Sequence, residues 1–215
     1  MDVGANNGVI SIGALHTGEL ARAIAIEPDP FNFSLLRQNV DQNGLSSRVI
    51  CLPYAASDQK GELVFELSRT NYGDHRVRKN PEKGSTGAER YLESERRVIT
   101  VPADRLDDLL STLPEPFTKT IVVIWVDVQG HEGYVFRGAK SILARGIPVV
   151  SEIWPYGIAR SGMGPEQFCE IVESFWSRYC VFRDGQFDQR NMRTFRAFYA
   201  GLGSAGDFQN VVFLP

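Results

Sequence analysis

The densest run of chemically capable side chains is Asp127-Val128-Gln129-Gly130-His131-Glu132, which follows the apolar stretch Thr120–Asp127. A neutral imidazole beside carboxylates can act as a general base, because its pKa of about 6.5 lies near working pH. That makes His131 the first candidate for the base and Asp127 the second. Glu132 can orient the ring or hold a substrate hydroxyl, and it also reads as a cap for the helix that follows. Further acids close predicted strands at Asp2, Glu27 and Glu152, and Ala55 marks another strand end. Beyond the carboxyl edge of an open α/β sheet these residues would converge on one cleft. Asp127 and Glu152 offer oxygen ligands for one magnesium ion as a minor alternative, but no metal site is expected. His16 and His75 lack such company and read as structural or solvated.

A second cluster opens the chain: Asp2-Val3-Gly4-Ala5-Asn6-Asn7-Gly8. Asn and Gly tolerate positive φ, and Gly lets a ligand approach the backbone. The run suits a strand ending in a tight turn that opens a helix, whose free N–H groups attract polar or anionic groups. Gly4 and Glu27 are 23 positions apart, near the roughly 20 between a Rossmann glycine loop and its ribose-binding carboxylate. An NAD-dependent oxidoreductase shares that plan, but Gly4-x-x-x-Gly8 lacks the G-x-G-x-x-G spacing. Only Met1, Asp2 and Val3 precede Gly4. The first strand is therefore read as truncated and the chain as a shortened form of a longer protein. A truncated, inactive binding domain is the other alternative.

The elements that must position these residues alternate. A helix is predicted over Val9–Arg22, with Gly13 and Gly18 weakening it. A strand follows at Ala23–Ile26, then a helix from Pro30 to about Asn43, with Asp29 as N-cap and Gly44 as stop. Strands are predicted at Val49–Leu52 and Glu62–Leu67. Ser68 to Arg97 breaks the pattern and reads as a surface loop or as a lid over the site, since long loops in compact domains are often functional. Strand Val98–Val101 and a short helix at Leu106–Leu110 precede the central strand Thr120–Asp127. Helix Glu132–Arg145, strand Pro148–Ile153, helix Pro165–Arg178 and closing strands Tyr179–Phe182 and Val211–Leu214 complete it. Alternation of this kind predicts a parallel sheet with helices on both faces, in one domain spanning 1–215.

The 215 residues, 43% hydrophobic and 23% charged with net charge −3, suit one globular unit with a sizeable core. No Lys/Arg face clusters, which argues against nucleic acid. The longest apolar run, Ile121–Val126, is far too short to span a bilayer. Three cysteines without a CxxC favour a reducing, cytoplasmic setting. Oligomeric state is open.

Taken together, several motifs resemble the FkbM family of S-adenosylmethionine-dependent methyltransferases. They are Asp2–Gly8, Ile26–Phe33, Asn39–Leu45, Ala55–Asp58, Leu106–Leu109 and Asp127–Glu132 leading to Gly138-Ala139. The family pattern carries Glu where this chain has Gln129, and it has a full first strand. The resemblance implies a class I methyltransferase (Rossmann-like) fold: a three-layer α/β sandwich with a mostly parallel sheet and an antiparallel closing strand. It implies methyl transfer to a hydroxyl of a small molecule or glycan. By position, Asp2, Gly4, Ala5, Asn6 and Gly8 would cradle the methionine part of the cofactor. Glu27 would hold the ribose, Ala55 and its neighbours would border the adenine, and Asp127 would lie near the methyl group. His131 and Glu132 would face the acceptor. Asn71 and Gly73 match a family Asn-x-Gly loop, which would bring the lid near the cofactor.

Overall fold

The structure, a computed structural model, describes residues 1–78, 91–183, 185–203 and 206–215. The chain begins with β1 (Asp2–Val3), α1 (Val9–His16), β2 (Ala23–Ile26), α2 (Pro30–Gln42) and β3 (Val49–Leu52). Next come β4 (Ala55–Ser57), β5 (Gly61–Leu67), β6 (Arg76–Val77), β7 (Arg97–Arg105), α3 (Leu106–Ser111) and α4 (Glu115–Thr118). They are followed by β8 (Ile124–Val126), α5 (Glu132–Arg137), α6 (Lys140–Leu143), β9 (Val149–Ile153) and α7 (Pro155–Arg160). The chain closes with α8 (Pro165–Phe175), β10 (Arg178–Arg183), β11 (Gln186–Asn191), α9 (Phe195–Leu202) and β12 (Gln209–Leu214).

The main sheet runs β3-β2-β1-β8-β9-β12-β10-β11. The five strands from β3 to β9 are parallel, and β12 pairs antiparallel between β9 and β10. Strand β2 shows how the sheet makes three layers. Ala23 and Ala25 face one core, with Leu15, Leu36 and Val40 of α1 and α2. Ile24 and Ile26 face the other, with Val135 and Phe136 of α5 and Phe168 of α8. Successive side chains of a strand point to opposite faces, so four apolar residues in a row serve two helix layers. Chain order reverses between β1 and β8, and in such sheets the crevice for ligands lies beyond the carboxyl ends of the strands that flank the reversal.

Several expectations change. Helix α1 stops at His16 rather than Arg22, and Gly18 sits at φ 76, outside the helical region. Only Ile124–Val126 of the apolar run joins the ladder, between β1 and β9. The helix expected over Glu132–Arg145 breaks at Gly138. A β-carbon there would stand 1.8 Å from the Ser57 carbonyl oxygen. The chain restarts as α6, whose free N–H groups at Ser141 and Ile142 donate to the Asp107 carboxylate at 2.8 and 3.0 Å. Helix α8 ends at Phe175, and Arg178 already belongs to β10. Helices α7 and α9 and strand β11 carry no expectation in the sequence.

The largest correction concerns β5. It does not join the parallel sheet but builds a second one, β4-β7-β5-β6, with its own core of Leu63, Phe65, Val77, Val101 and Ala103. Both ends of the stretch expected to be loop or lid are ordered parts of this unit. Arg76 pairs across the ladder with Glu66, and its buried Nε donates to Glu66 Oε1 at 2.9 Å. Its guanidinium lies 5.4 and 5.2 Å from the centres of the Tyr91 and Trp154 rings. Residues 79–90, the middle of the expected lid, lie outside the described residues.

Candidate functional site

The crevice at the switch point is built from backbone first. Gly4, at φ 88, turns the chain out of β1 so closely that a β-carbon would meet the Asp127 carbonyl oxygen. Its N–H and that of Ala5 both donate to the Ile26 carbonyl oxygen, at 2.9 and 3.0 Å. Asn6 follows at φ 50, a left-handed position that Asn tolerates better than most residues. Its backbone N–H donates to Glu27 Oε2 at 2.8 Å, while Glu27 Oε1 accepts from Asp29 N–H at 2.9 Å. Glu27 thereby fixes the glycine loop against the start of α2. An ionised carboxylate has about four acceptor positions, so about two remain for a ligand. Burial pushes Glu27 up to about 7.

A cleft of about 510 Å³, counting the space open to solvent, lies beyond these strand ends. Gly4, Asn6, Glu27, Ala55, Asp127, Gln129 and His131 line it. So do Asn32, Phe65 and His75, which sequence reasoning assigned no place there, as well as Tyr54, beside the expected Ala55, and Tyr72, within Asn71-x-Gly73. Phe65 and His75 come from or beside the second sheet, which pattern reading did not see. The Asn71-x-Gly73 match was the signal for Tyr72: its carbonyl oxygen accepts from Asn6 Nδ2 and Asn32 Nδ2 at 3.2 and 3.0 Å. His75 is buried with its Nδ1 accepting from Ser68 N–H at 3.0 Å, and burial holds its pKa down.

The other expected site residues sit differently. Ala5 and Asp2 border the depression beside the cleft, with Asp127 between the two. Asp2 is buried and accepts from Ser11 Oγ at 2.8 Å, so it braces α1 from below. Gly8, at φ 90, is the N-cap of α1, and a β-carbon there would meet Leu36. It shapes the turn from behind and does not line the cleft. Glu132 is fully buried beneath the loop, with Oε1 accepting from the Val128 and Gly130 N–H groups at 3.1 and 3.2 Å. It caps the loop from inside. His131, 1% exposed, meets Ser57 Oγ through Nε2 at 2.9 Å and stacks on Tyr134.

Asp127 and Glu152 lie side by side at the ends of β8 and β9, half-buried. The Gln129 side-chain amide reaches both: Nε2 donates to Asp127 Oδ1 at 2.7 Å and to Glu152 Oε1 at 3.3 Å. Burial raises the Asp127 carboxyl above its usual range. Glu152 is pushed up to about 8, by burial first and then by the carboxyls of Asp127, Glu132 and Asp74. The –NH₂ between them presents hydrogens, which suits two acceptors and not a cation. Among the described residues no cluster of three or more His, Cys, Asp or Glu could hold a metal ion. The cleft is thus acidic, and among the described residues no Lys or Arg lines it.

A family model of the methyltransferase FkbM domain matches residues 2–183. The chain belongs to that family. It is 30% identical over 151 residues to the 2-O-methyltransferase NoeI of Sinorhizobium fredii, an alignment covering 67% of this chain and 58% of NoeI. It is 28% identical over 172 residues to the hexuronic acid methyltransferase AglP of Haloferax volcanii, covering 80% of this chain and 59% of AglP. The chain therefore spans a little under three fifths of the length of these curated relatives. The crystal structure of a methyltransferase FkbM from Methylobacillus flagellatus KT superposes with a TM-score of 0.54 at 15% identity. It covers 99% of this chain and 42% of that one, and it shows that the Rossmann-like α/β fold is shared. Among the described residues no helix is long and apolar enough to cross a membrane.

Proposed function

We propose that the chain binds S-adenosylmethionine in the cleft and carries out methyl transfer to a hydroxyl group of a sugar. The single observation that carries this reading is the charge of the cleft. Glu27 and Asp127 line it while no described Lys or Arg does. A dinucleotide would bring its diphosphate onto the glycine-loop N–H groups, beside the Asp127 backbone that Gly4 touches and the carboxyl it carries. A sulfonium donor brings a positive charge and a ribose, and both suit carboxylates. The donor's bound sulfonium supplies an activated methyl carbon.

The residues present fit such a donor. Glu27 keeps acceptor positions free for ribose hydroxyls. The Gly4–Asn6 backbone is bare of bulk at the cleft floor, where the family resemblance places the methionine end. Tyr54, Ala55 and Phe65 give apolar surface for a base. The protein's remaining work is alignment of acceptor and methyl carbon. The names of NoeI and AglP, a 2-O-methyltransferase and a hexuronic acid methyltransferase, favour a sugar acceptor within a small molecule or glycan. A single domain spanning 1–215 and a cytoplasmic location belong to the same reading; the three free cysteines accord with the latter.

Calorimetry with S-adenosylhomocysteine and NAD tests the donor. The expected result is micromolar binding of the first and none of the second, and the reverse would overturn the reading. Methyl transfer to glycosides of hexoses and hexuronic acids tests the acceptor class.

A further inference from the structure

Methyl transfer to oxygen forms a carbon–oxygen bond as the carbon–sulfur bond breaks, and the electron pair of the broken bond stays on sulfur. The acceptor hydroxyl must also lose its proton to a group of the protein or to water. We propose that Glu152, held beside Asp127 by the Gln129 amide, takes that proton. This rests on the O-methyl transfer reading above.

Four observations carry it. First, the register pairs Val126 with Ser151, so Asp127 and Glu152 stand abreast one residue further on, on strands about 4.8 Å apart. Two carboxylates so placed do not both ionise readily, and one retains a proton acceptor's strength. Second, a built device holds them. Gln129 sits at φ 53 and Gly130 at φ 102, where a β-carbon would stand 2.2 Å from the Gly157 carbonyl carbon. A non-glycine residue kept in the left-handed region is strained, and such strain persists where the surroundings fix it. Its result is one amide donating to two carboxyls. Third, Asp127 lines the cleft and half-buried Glu152 stands beside it, so an acceptor in the cleft lies next to the pair. Fourth, His131 is engaged at Nε2 by Ser57 and 1% exposed, a place that braces β4 against α5. The charged groups that act on Glu152 are Asp127 from β8, Glu132 from α5 and Asp74 from the segment before β6. All are acids, so each favours proton uptake by Glu152.

The test uses the full chain as wild type, Glu152→Gln, Asp127→Asn, Gln129→Ala and His131→Ala. Circular dichroism controls for folding, and S-adenosylhomocysteine affinity for the donor site. Side-chain carboxyl ¹³C NMR, with no acceptor present, follows titration between about pH 4 and 10. Methyl transfer from S-adenosylmethionine to hexose and hexuronic acid glycosides gives kcat against pH. Among the carboxyls that titrate above the ordinary range, the highest should vanish in Glu152→Gln, move down in Asp127→Asn and move up in Gln129→Ala. Glu152→Gln should lose about 100-fold or more in kcat with donor affinity unchanged. The proposal is overturned by an ordinary Glu152 titration or by a kcat for Glu152→Gln within about threefold of wild type. Loss of the acid limb, the rise of kcat with pH, in His131→Ala alone would also overturn it. If the wild type fails to bind S-adenosylhomocysteine, the donor reading falls instead, and the carboxyl titration still decides for or against the pair.

Discussion

Gly4 and Asp127 meet across the switch point of the sheet so closely that a β-carbon on residue 4 would lie 1.8 Å from the Asp127 carbonyl oxygen. The contact is backbone to backbone, between the ends of two neighbouring parallel strands, and no rotamer change can relieve it. Gly4 also sits at φ 88, which an L side chain adopts only under strain. Gly4→Ala should therefore lose about 3 kcal/mol or more of stability together with donor affinity. Urea unfolding monitored by circular dichroism checks it, and a variant within about 1 kcal/mol of wild type would contradict the contact.

The Glu27 carboxylate serves two backbone donors with two different oxygens. In Glu27→Gln one of those N–H groups must face an –NH₂, leaving a buried donor unsatisfied at about 1–3 kcal/mol. The same change removes an acceptor from the cleft. S-Adenosylhomocysteine affinity should fall at least about tenfold, the equivalent of about 1.4 kcal/mol. Calorimetry at fixed pH measures it, and unchanged affinity would remove Glu27 from the donor site.

Burial raises Glu132 to about 7 in the folded chain from an ordinary value of 4.5. An acid held above its unfolded value keeps its proton longer when folded. Between those two values the native state binds more protons than the unfolded state, so stability falls as pH rises through this window and levels off above about 7. The contribution lost is on the order of 3 kcal/mol. Glu132→Gln keeps an oxygen for the Val128 and Gly130 N–H groups and carries no charge. Its melting temperature should exceed that of wild type at pH 8 and match it near pH 5. Thermal unfolding across that range decides, and a parallel pair of curves would refute the assignment.

His131 and Ser57 join α5 to β4 through one buried hydrogen bond of 2.9 Å. Removing either partner should destabilise by about 1–3 kcal/mol, and removing both should cost less than the sum. A double-mutant cycle of His131→Ala and Ser57→Ala, read by denaturant unfolding, measures the coupling. A coupling near zero would mean the two side chains do not depend on one another.

The sequence spells out the parallel half of the fold because its signals are local. Asp29 and Pro30 start α2, Gly44 ends it, and β2 is an unbroken apolar run. The second sheet is not legible in this way. Arg76, Glu66 and Glu93 look like solvated charges in a row of residues, yet they are buried against one another and against aromatic rings. Periodicity reports which face a residue takes within its own element, not which distant charge will neutralise it. The site follows the same division. Glu27 and Asp127 stand out as acids at strand ends, whereas the places of Glu132 and His131 depend on loop geometry after β8. Gln129 is the sharpest case: a side chain with no evident role in the motif turns out to hydrogen-bond both Asp127 and Glu152.

The Tyr72 carbonyl oxygen, gripped by Asn6 and Asn32, has a kinetic meaning as well. Its donors stand 66 and 40 residues away along the chain, so this wall of the cleft forms only after distant segments have found each other. The segment is held there by side-chain amides, whereas β2 and β8 are paired along both edges, and segments with fewer buried ladder bonds open at lower free energy. Amide hydrogen exchange in the ligand-free chain should therefore find the peptides at 70–74 opening well before those of β2 and β8. The Tyr72 wall would then open while the strand-end floor of the cleft stays closed.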